Sequence, residues 1–196
     1  MHMRRAMVVM AAVPLAACGV NSVPTAEEEV NARWGEVQNQ YQRRADLIPN
    51  LVATVKGFAQ QEERVLTQVT QARAAATSIN VTTDDLSDPA TFQRFQAAQN
   101  QLTQALGQLR TVVEAYPQLT SNQNFLSLQS QLEGTENRIA IARRDYNEAV
   151  QAYNTRIRTF PDAIGARVFY GAKPKQSFQA QAGAEVAPQV NFGNSN

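Results

Sequence analysis

Residues 122–159 have the sequence NQNFLSLQSQLEGTENRIAIARRDYNEAVQAYNTRIRT, and this stretch decides the fold. Its apolar residues recur at alternating steps of three and four, the spacing that lines up side chains on one face of a helix. The stripe consists of Phe125, Leu128, Leu132, Ile139, Ala142, Tyr146, Ala149 and Tyr153, with Thr135 on the same line. A helix with one apolar face buries that face against other helices, so the stretch predicts one member of a bundle.

Three segments upstream repeat this pattern. We predict helices from about Ala26 to Arg44, from about Ile48 to Ala72, and from about Pro89 to Tyr116, where Gln99 interrupts the apolar stripe. The chain shows no run of alternating apolar and polar residues typical of a strand. The sequence therefore predicts an all-α fold, an antiparallel bundle of four helices with short connections.

The connections between the helices carry recognisable signals. Asp46 can cap the second helix, and Pro49 fits its first turn, where an amide has no intrahelical partner. We therefore favour separate first and second helices over one long helix kinked near Asp46 to Pro49. Ser87 or Asp88 can cap the third helix. The other breaks each carry a proline that starts or ends a helix: Pro89, Pro117 and Pro161.

The N-terminus has the layout of a bacterial lipoprotein signal. Arg4 and Arg5 precede a short apolar run over residues 6–13, and Leu15-Ala16-Ala17-Cys18 resembles a lipobox. We expect residues 1–17 to be removed and Cys18 to be lipidated. An ordinary secretory leader, or a weak anchor that stays attached, is the alternative. The predicted location is the bacterial cell envelope, and Gly19 favours the outer membrane, facing the periplasm, in a Gram-negative cell.

The composition of the mature chain excludes several kinds of chemistry. All four methionines and the only histidine, His2, lie in the leader. Zinc and non-haem iron sites, and nucleophiles with a histidine base, are therefore unavailable. The nearly balanced charge predicts no nucleic-acid partner. We expect no cofactor, no metal and no enzymatic activity.

The ends of the chain are predicted to be simpler than its middle. We expect a lipidated tether at residues 18–25, a bundle domain at residues 26–175, and a disordered tail at residues 176–196, which is mostly Gln, Ala, Gly and Asn. The segment from Phe160 to Phe178 is apolar and aromatic without a helical period. It is predicted to fold back over the bundle end, and presenting a surface to a partner is the alternative.

Several blocks of sequence follow one another in a recognisable order and spacing. They are RRADLIPNLVATVKGFAQQE (43–62), EAYPQL (114–119), NFLSLQSQLEGTENRIAIAR (124–143), YN at 146–147 and 153–154, and FP at 160–161. With these blocks the chain resembles the LemA family over about Val30 to Phe178. The resemblance implies an all-helical bundle in the cell envelope, usually tethered by an N-terminal transmembrane helix and with a poorly defined biochemical role. A lipobox leader stands here in place of that helix.

Charged and amide side chains on or beside the stripes are the candidate site residues. They are Glu62, Arg73, Glu114, Glu136, Asn137, Arg143, Asn147 and Asn154. Buried charges are stable only when paired and hydrogen-bonded, so we expect an internal network that fixes helix register. The alternative is a pocket that binds a ligand or a hard cation through these groups.

Two further sets of residues receive structural interpretations. The pairs Arg43-Arg44 and Arg143-Arg144 are expected on solvated or salt-bridged faces rather than in phosphate or lipid sites. Four tyrosines are expected as core aromatics with a hydroxyl partner: Tyr41, Tyr116, Tyr146 and Tyr153. The sequence thus predicts a lipid-anchored helical scaffold that binds another envelope protein. The alternative is an envelope lipoprotein that binds a small ligand or a hard cation.

Overall fold

The computed structural model describes residues 21–180, and all regular secondary structure in that range is helical. Helix α1 packs antiparallel on α5 and α2 packs antiparallel on α3, which confirms the all-α antiparallel bundle. The helices are α1 (Ser22–Phe58), α2 (Glu63–Ser78), α3 (Pro89–Val113), the one-turn α4 (Pro117–Thr120), α5 (Gln123–Arg156) and α6 (Asp162–Val168), with 3₁₀ turns at Gln60–Glu62 and Asp85–Ser87.

The break between the first two helices lies later than predicted. Helix α1 runs through Asp46 and Pro49 without interruption, so the separate helices favoured from the sequence are wrong at this point. Proline lacks the amide that would bond the carbonyl four residues earlier, which here is the carbonyl of buried Ala45. Arg73 of α2 supplies the missing donor, because its Nε lies 2.7 Å from the Ala45 oxygen. The chain leaves the helix only at Ala59, with φ −128° and ψ 57°.

We expect the hydrogen bond from Arg73 to the Ala45 carbonyl to contribute more to the free energy of unfolding when Pro49 is present. Arg73→Ala leaves the buried Ala45 carbonyl without a donor, which costs about 1–3 kcal/mol of unfolding free energy. In a Pro49→Ala background the amide of residue 49 can take over, so the same substitution should cost clearly less. Urea denaturation of the four chains of this cycle measures the difference, and Arg64→Ala, exposed on the same helix, is the control.

The other boundaries follow local chemistry. The Asp88 carboxylate accepts from the amides of Ala90 and Thr91, both at 3.2 Å, and Pro89 occupies the first turn, which confirms the predicted cap. Helices α3 and α5 end three residues before the predicted Tyr116 and Thr159. Tight turns fill the difference, since the chain must reverse before the next element starts.

Helix α1 begins earlier than the predicted tether allows. Its first residue is Ser22, and Val23 is fully buried in the core. Residues 22–25, which were predicted to form part of the tether, therefore belong to the bundle. Cys18 and the leader lie outside the described residues. Within residues 21–180, none of the helices combines the length and apolarity needed to cross a bilayer.

The core divides into two clusters along the bundle axis. One cluster is aromatic and lies near the start of α1, where Trp34, Phe92, Phe95, Tyr146 and Phe178 meet. The other is mostly aliphatic and lies near the α1–α2 turn. Its large members are Ile48, Leu51, Val55, Leu66, Leu102, Leu109 and Phe125. A polar layer lies between the two clusters.

Candidate functional site

The polar layer is centred on the guanidinium of Arg44, which is 1% exposed. Its Nη1 donates to Thr103 Oγ1 at 3.0 Å and pairs with Glu136 Oε1 at 3.0 Å. Its Nη2 donates to the side-chain oxygen of Gln99. The ring of Tyr41 packs 5.0 Å from the guanidinium carbon. A buried cation is thus balanced by one carboxylate and held by neutral acceptors.

This layer ties all four long helices together. Gln99 Nε2 of α3 donates to the Ala76 carbonyl of α2 at 3.1 Å, while its oxygen accepts from Arg44 of α1. Glu136 comes from α5. Arg44 Nη1 and Nη2 each bond to α3, and Nη1 also bonds to α5, whereas none of the described residues accepts from the buried Arg44 Nε. A shift of any helix along the axis breaks one of these bonds, which fixes the register.

Sequence reasoning missed the centre of this layer. It placed Arg44 on a solvated or salt-bridged face, and the structure confirms only the salt bridge. The available signal was that Arg44 follows Tyr41 by three and precedes Ile48 by four, which places it on the apolar stripe of α1. The interruption of the α3 stripe at Gln99 marked the same level of the bundle.

An apolar groove opens beside the layer, between α3 and α5. Its cavity has a volume of about 580 Å³ and a floor at Leu51 of α1. Glu136 and Thr103 close one end, so the groove starts at the polar layer. The apolar lining is Leu106, Leu109, Val113, Phe125 and Leu132, and Arg110, Gln129, Glu133 and Asn137 line it with polar groups. The described residues contain no group of three His, Cys, Asp or Glu side chains placed to hold a metal ion.

A second arrangement lies at the other end of α5, where two asparagines hold residues 171–180. The Asn147 amide accepts from the Phe178 amide at 2.8 Å and donates to the Phe178 carbonyl at 3.0 Å. Asn154 makes the same pair of bonds to Lys175, both at 2.9 Å. Each side chain thus satisfies both backbone groups of one residue, as a neighbouring strand would.

The spacing of the two asparagines matches that of an extended chain. Seven residues of helix rise about 10.5 Å, and three residues of extended chain cover about 10 Å. Asn147 and Asn154 are seven apart, and Lys175 and Phe178 are three apart. The repeated Tyr-Asn motif therefore has a physical basis. Its asparagines bond to the backbone of residues 171–180, the C-terminal segment, and its tyrosines face the core.

Burial keeps the hydroxyls of both tyrosines of the motif in the neutral form. Burial raises the pKa of Tyr146 far above its usual value, and its hydroxyl donates to the Gln176 carbonyl at 2.8 Å. Burial, with a smaller contribution from Glu27, raises the pKa of Tyr153 to about 12. Tyr41 has a pKa raised by burial, and hydrogen bonding to Glu62 raises that of Tyr116. Tyr41, Tyr146 and Tyr153 are buried, as predicted, and Tyr116 is partly buried.

Lys175 fixes the same segment to the start of α1. This buried lysine lies 2.9 Å from Glu27 Oε1 and donates to the Thr83 carbonyl at 3.3 Å. Phe178 is 6% exposed and stacks among the rings of the aromatic cluster. The disordered tail predicted from Gln176 is therefore wrong for residues 176–180, and residues 181–196 lie outside the described range.

The structure does not bring the eight predicted site residues into one network. Glu136 alone belongs to the polar layer, while Arg143, Asn147 and Asn154 hold the C-terminal segment. The Glu62 carboxylate accepts from the Tyr116 hydroxyl at 2.8 Å near the α1–α2 turn. The remaining residues are Arg73, bonded to Ala45, and the exposed Glu114 and Asn137.

The two arginines of the pair Arg143-Arg144 lie in different surroundings. Arg144 is exposed and pairs with Asp145 at 2.8 Å, as expected of a salt-bridged face. Arg143 instead lies over the Phe178 ring, with 4.6 Å between the guanidinium carbon and the ring centre, and donates to the Gln179 carbonyl at 3.2 Å. Arg143 therefore helps to hold residues 171–180 against the bundle.

Comparison with known proteins identifies relatives. Magnetosome protein MamQ 2 of Paramagnetospirillum magneticum is 26% identical over 189 residues, covering 87% of this chain and 69% of that protein. Protein LemA of Metamycoplasma hominis is 23% identical over 140 residues, covering 71% of this chain and 60% of its own length. Magnetosome protein MamQ of Magnetospirillum gryphiswaldense is 24% identical, covering 72% and 58% of the two chains. The family model described as LemA family matches residues 33–192, and the chain therefore belongs to the LemA family.

Proposed function

We propose that this chain is a lipid-anchored helical scaffold of the bacterial cell envelope, which binds another envelope protein in the groove between α3 and α5 and catalyses no reaction. The leader supports the location, because its residues fit a lipoprotein signal ending at Cys18. The groove carries the proposal of binding, since it is a cavity of about 580 Å³ whose walls are mainly apolar and which lies between two long helices. We further propose that the chain has no nucleic-acid partner.

The shape of the groove favours an amphipathic helix as its occupant. Leu106, Leu109 and Val113 line one wall at steps of three and four along two turns of α3. A partner helix with apolar residues at similar steps would fill the spaces between these side chains. Arg110 and Glu133 on the lining offer charges of both signs to its polar flanks.

Gly107 gives a clean way to block the groove. It lines the cavity, and a Cβ atom added there meets no other atom within 4 Å. We expect Gly107→Trp to fill the groove while leaving the bundle folded. A photo-crosslinking residue at Gln129, which also lines the groove, should capture the partner in intact cells. The captured adduct should disappear when Gly107→Trp is added.

Gly134 provides the matched control. It is exposed on α5, a Cβ there also meets nothing within 4 Å, and it lies outside the groove lining. Gly134→Trp should leave the adduct unchanged. An adduct that persists in Gly107→Trp, or the lack of any adduct under several growth conditions, would count against the proposed partner site.

A small amphiphile is the second candidate occupant. The cavity volume of about 580 Å³ lies within the range of about 300–1,000 Å³ typical of ligand sites. Its apolar lining and the polar end at Thr103 and Glu136 suit a molecule with one apolar and one polar part. Native mass spectrometry of the purified chain would detect such a molecule, and Gly107→Trp should release it.

The anchor is tested separately from the groove. The mass of the mature chain should correspond to cleavage before Cys18 with acyl groups attached. Cys18→Ser should abolish that modification and move the protein from the membrane fraction to another fraction. An uncut, unmodified chain would remove the proposed anchor and leave the groove experiment valid.

A further inference from the structure

Helix α6 and its flanks expose their large apolar side chains and bury their small ones. Gly165 and Ala166 face the bundle, whereas Ile164 is 58% exposed and Val168 is 68% exposed. Phe160 before the helix and Phe169 after it are 82% and 68% exposed. This reverses the usual pattern, in which a surface helix turns its large apolar residues inward. We call Phe160, Ile164, Val168, Phe169 and the partly exposed Tyr170 the apolar cap.

The apolar cap lies at the end of the bundle where α1 starts. Arg156 joins the two places, because its Nη1 donates to the Ser22 carbonyl at 3.0 Å and its Nε lies 3.7 Å from Asp162 at the start of α6. Cys18 precedes Ser22 by four residues, and four extended residues span at most about 14 Å. An acyl group on Cys18 would therefore hold this end of the bundle close to a bilayer.

The charges around the apolar cap suit an anionic lipid surface. The exposed basic residues there are Arg158, Arg167 and Lys173. Of the acidic groups at this end, Asp162 lies 3.7 Å from Arg156, Glu27 pairs with Lys175 at 2.9 Å and Glu29 pairs with Arg33 at 2.7 Å. Glu28 is exposed on α1, so among the described residues the basic side chains next to the cap outnumber the acidic groups that lack an ion pair. Basic side chains around aromatic and aliphatic ones are the composition of segments that enter the headgroup region.

We propose that the apolar cap inserts into the lipid surface beside the acyl anchor and sets the orientation of the bundle on the membrane. This inference rests on the proposed lipid anchor at Cys18. The anchor alone would leave the bundle free to tilt on a short link. Two contacts at one end of the bundle, the acyl anchor and the cap, would keep the bundle upright, with its axis pointing away from the membrane plane. The groove then faces the aqueous side.

Tryptophan fluorescence tests the cap directly. Phe169→Trp places a reporter in the cap, and Phe58→Trp places one at the opposite end of the bundle, where Phe58 is 42% exposed. The natural Trp34 is 1% exposed and gives the same background in both chains. Each mature chain is purified from membranes and reconstituted in vesicles of phosphatidylethanolamine and phosphatidylglycerol. The acyl chains carry bromine about 5–10 Å below the headgroup boundary, the depth that interfacial segments reach.

We expect residue 169 to lose most of its added fluorescence in brominated vesicles and residue 58 to keep its own. A chain that floats with the vesicles while residue 169 stays unquenched overturns the cap and leaves the anchor intact. A chain that lacks acyl groups yet shows quenching at residue 169 supports the cap and removes the anchor. A chain that does not bind the vesicles would overturn both the cap and the anchor.

A second variant separates lipid contact from a folding defect. Phe160→Ser combined with Phe169→Ser changes two exposed positions, so the melting temperature should stay nearly constant. With a spin label or fluorophore on the groove wall, the double variant should show a broader range of distances to the membrane than the parent chain. An unchanged distribution would contradict the orienting role.

Discussion

Phe178→Ala is expected to lower the free energy of unfolding by about 3–5 kcal/mol, the cost of removing a buried phenylalanine from a packed core. The ring centre of Phe178 lies 5.0 Å from that of Phe92, 5.5 Å from that of Tyr146 and 6.1 Å from that of Trp34. Its removal leaves a cavity inside the aromatic cluster and loosens the segment held by Asn147. Urea denaturation followed by the fluorescence of Trp34 measures the loss.

Phe169→Ala is the matched control, nine residues earlier in the same chain. Phe169 is 68% exposed, so its truncation should change stability by less than about 0.5 kcal/mol. The order should reverse for lipid contact. Residue 169 is expected to reach the brominated acyl chains, whereas Phe178 is buried in the aromatic cluster and is not. If Phe178→Ala cost as little stability as Phe169→Ala, residues 171–180 would contribute no more to the folded state than an exposed loop.

The C-terminal segment also shows where sequence reasoning ended. Helical periodicity located the long helices because the period of 3.6 residues is a local property that the side chains record directly. Residues 176–180 carry no such period, and their composition resembles a disordered tail. Their order comes from side chains about 30 positions away, Asn147 and Tyr146, which bond to the backbone of the segment. Composition cannot report a bond of that kind.

The misplaced break near Pro49 has the same cause. A proline and a capping residue are local signals, and both favoured a new helix at this point. The helix continues because Arg73, 28 positions after Ala45, bonds to the Ala45 carbonyl that the proline leaves free. The boundary at Asp88 was found correctly because both partners of its cap lie within three residues.

The candidate site was predicted only in part. Glu136 was identified from its place beside the α5 stripe, and Gln99 was noticed as an interruption of the α3 stripe. Arg44 was missed, because an arginine beside another arginine was interpreted as surface. The groove could not be found at all from the sequence, since it results from the spacing of α3 and α5 and not from any residue pattern.

Glu136→Ala is expected to lower the free energy of unfolding by about 2–3 kcal/mol. Removing one member of a buried ion pair leaves the other charge uncompensated, which typically costs about 3–5 kcal/mol. The cost should be smaller here because the Glu136 side chain is 36% exposed and partly screened by water. Arg44 is then left as a buried cation among neutral acceptors. Chemical denaturation of the two chains at one pH and salt concentration measures the difference.

Glu133→Ala is the control, one turn earlier on the same helix. Glu133 is exposed and accepts a single bond, from Gln129 at 3.1 Å, so its loss should stay within about 0.5 kcal/mol. Adding Arg44→Met to Glu136→Ala should recover part of the lost stability, because the uncompensated charge is then gone from the interior. A double variant less stable than Glu136→Ala alone would show that Arg44 stabilises the bundle through Gln99 and Thr103 more than through its charge. In that case the layer would hold the four helices as a hydrogen-bond network in which the ion pair is secondary.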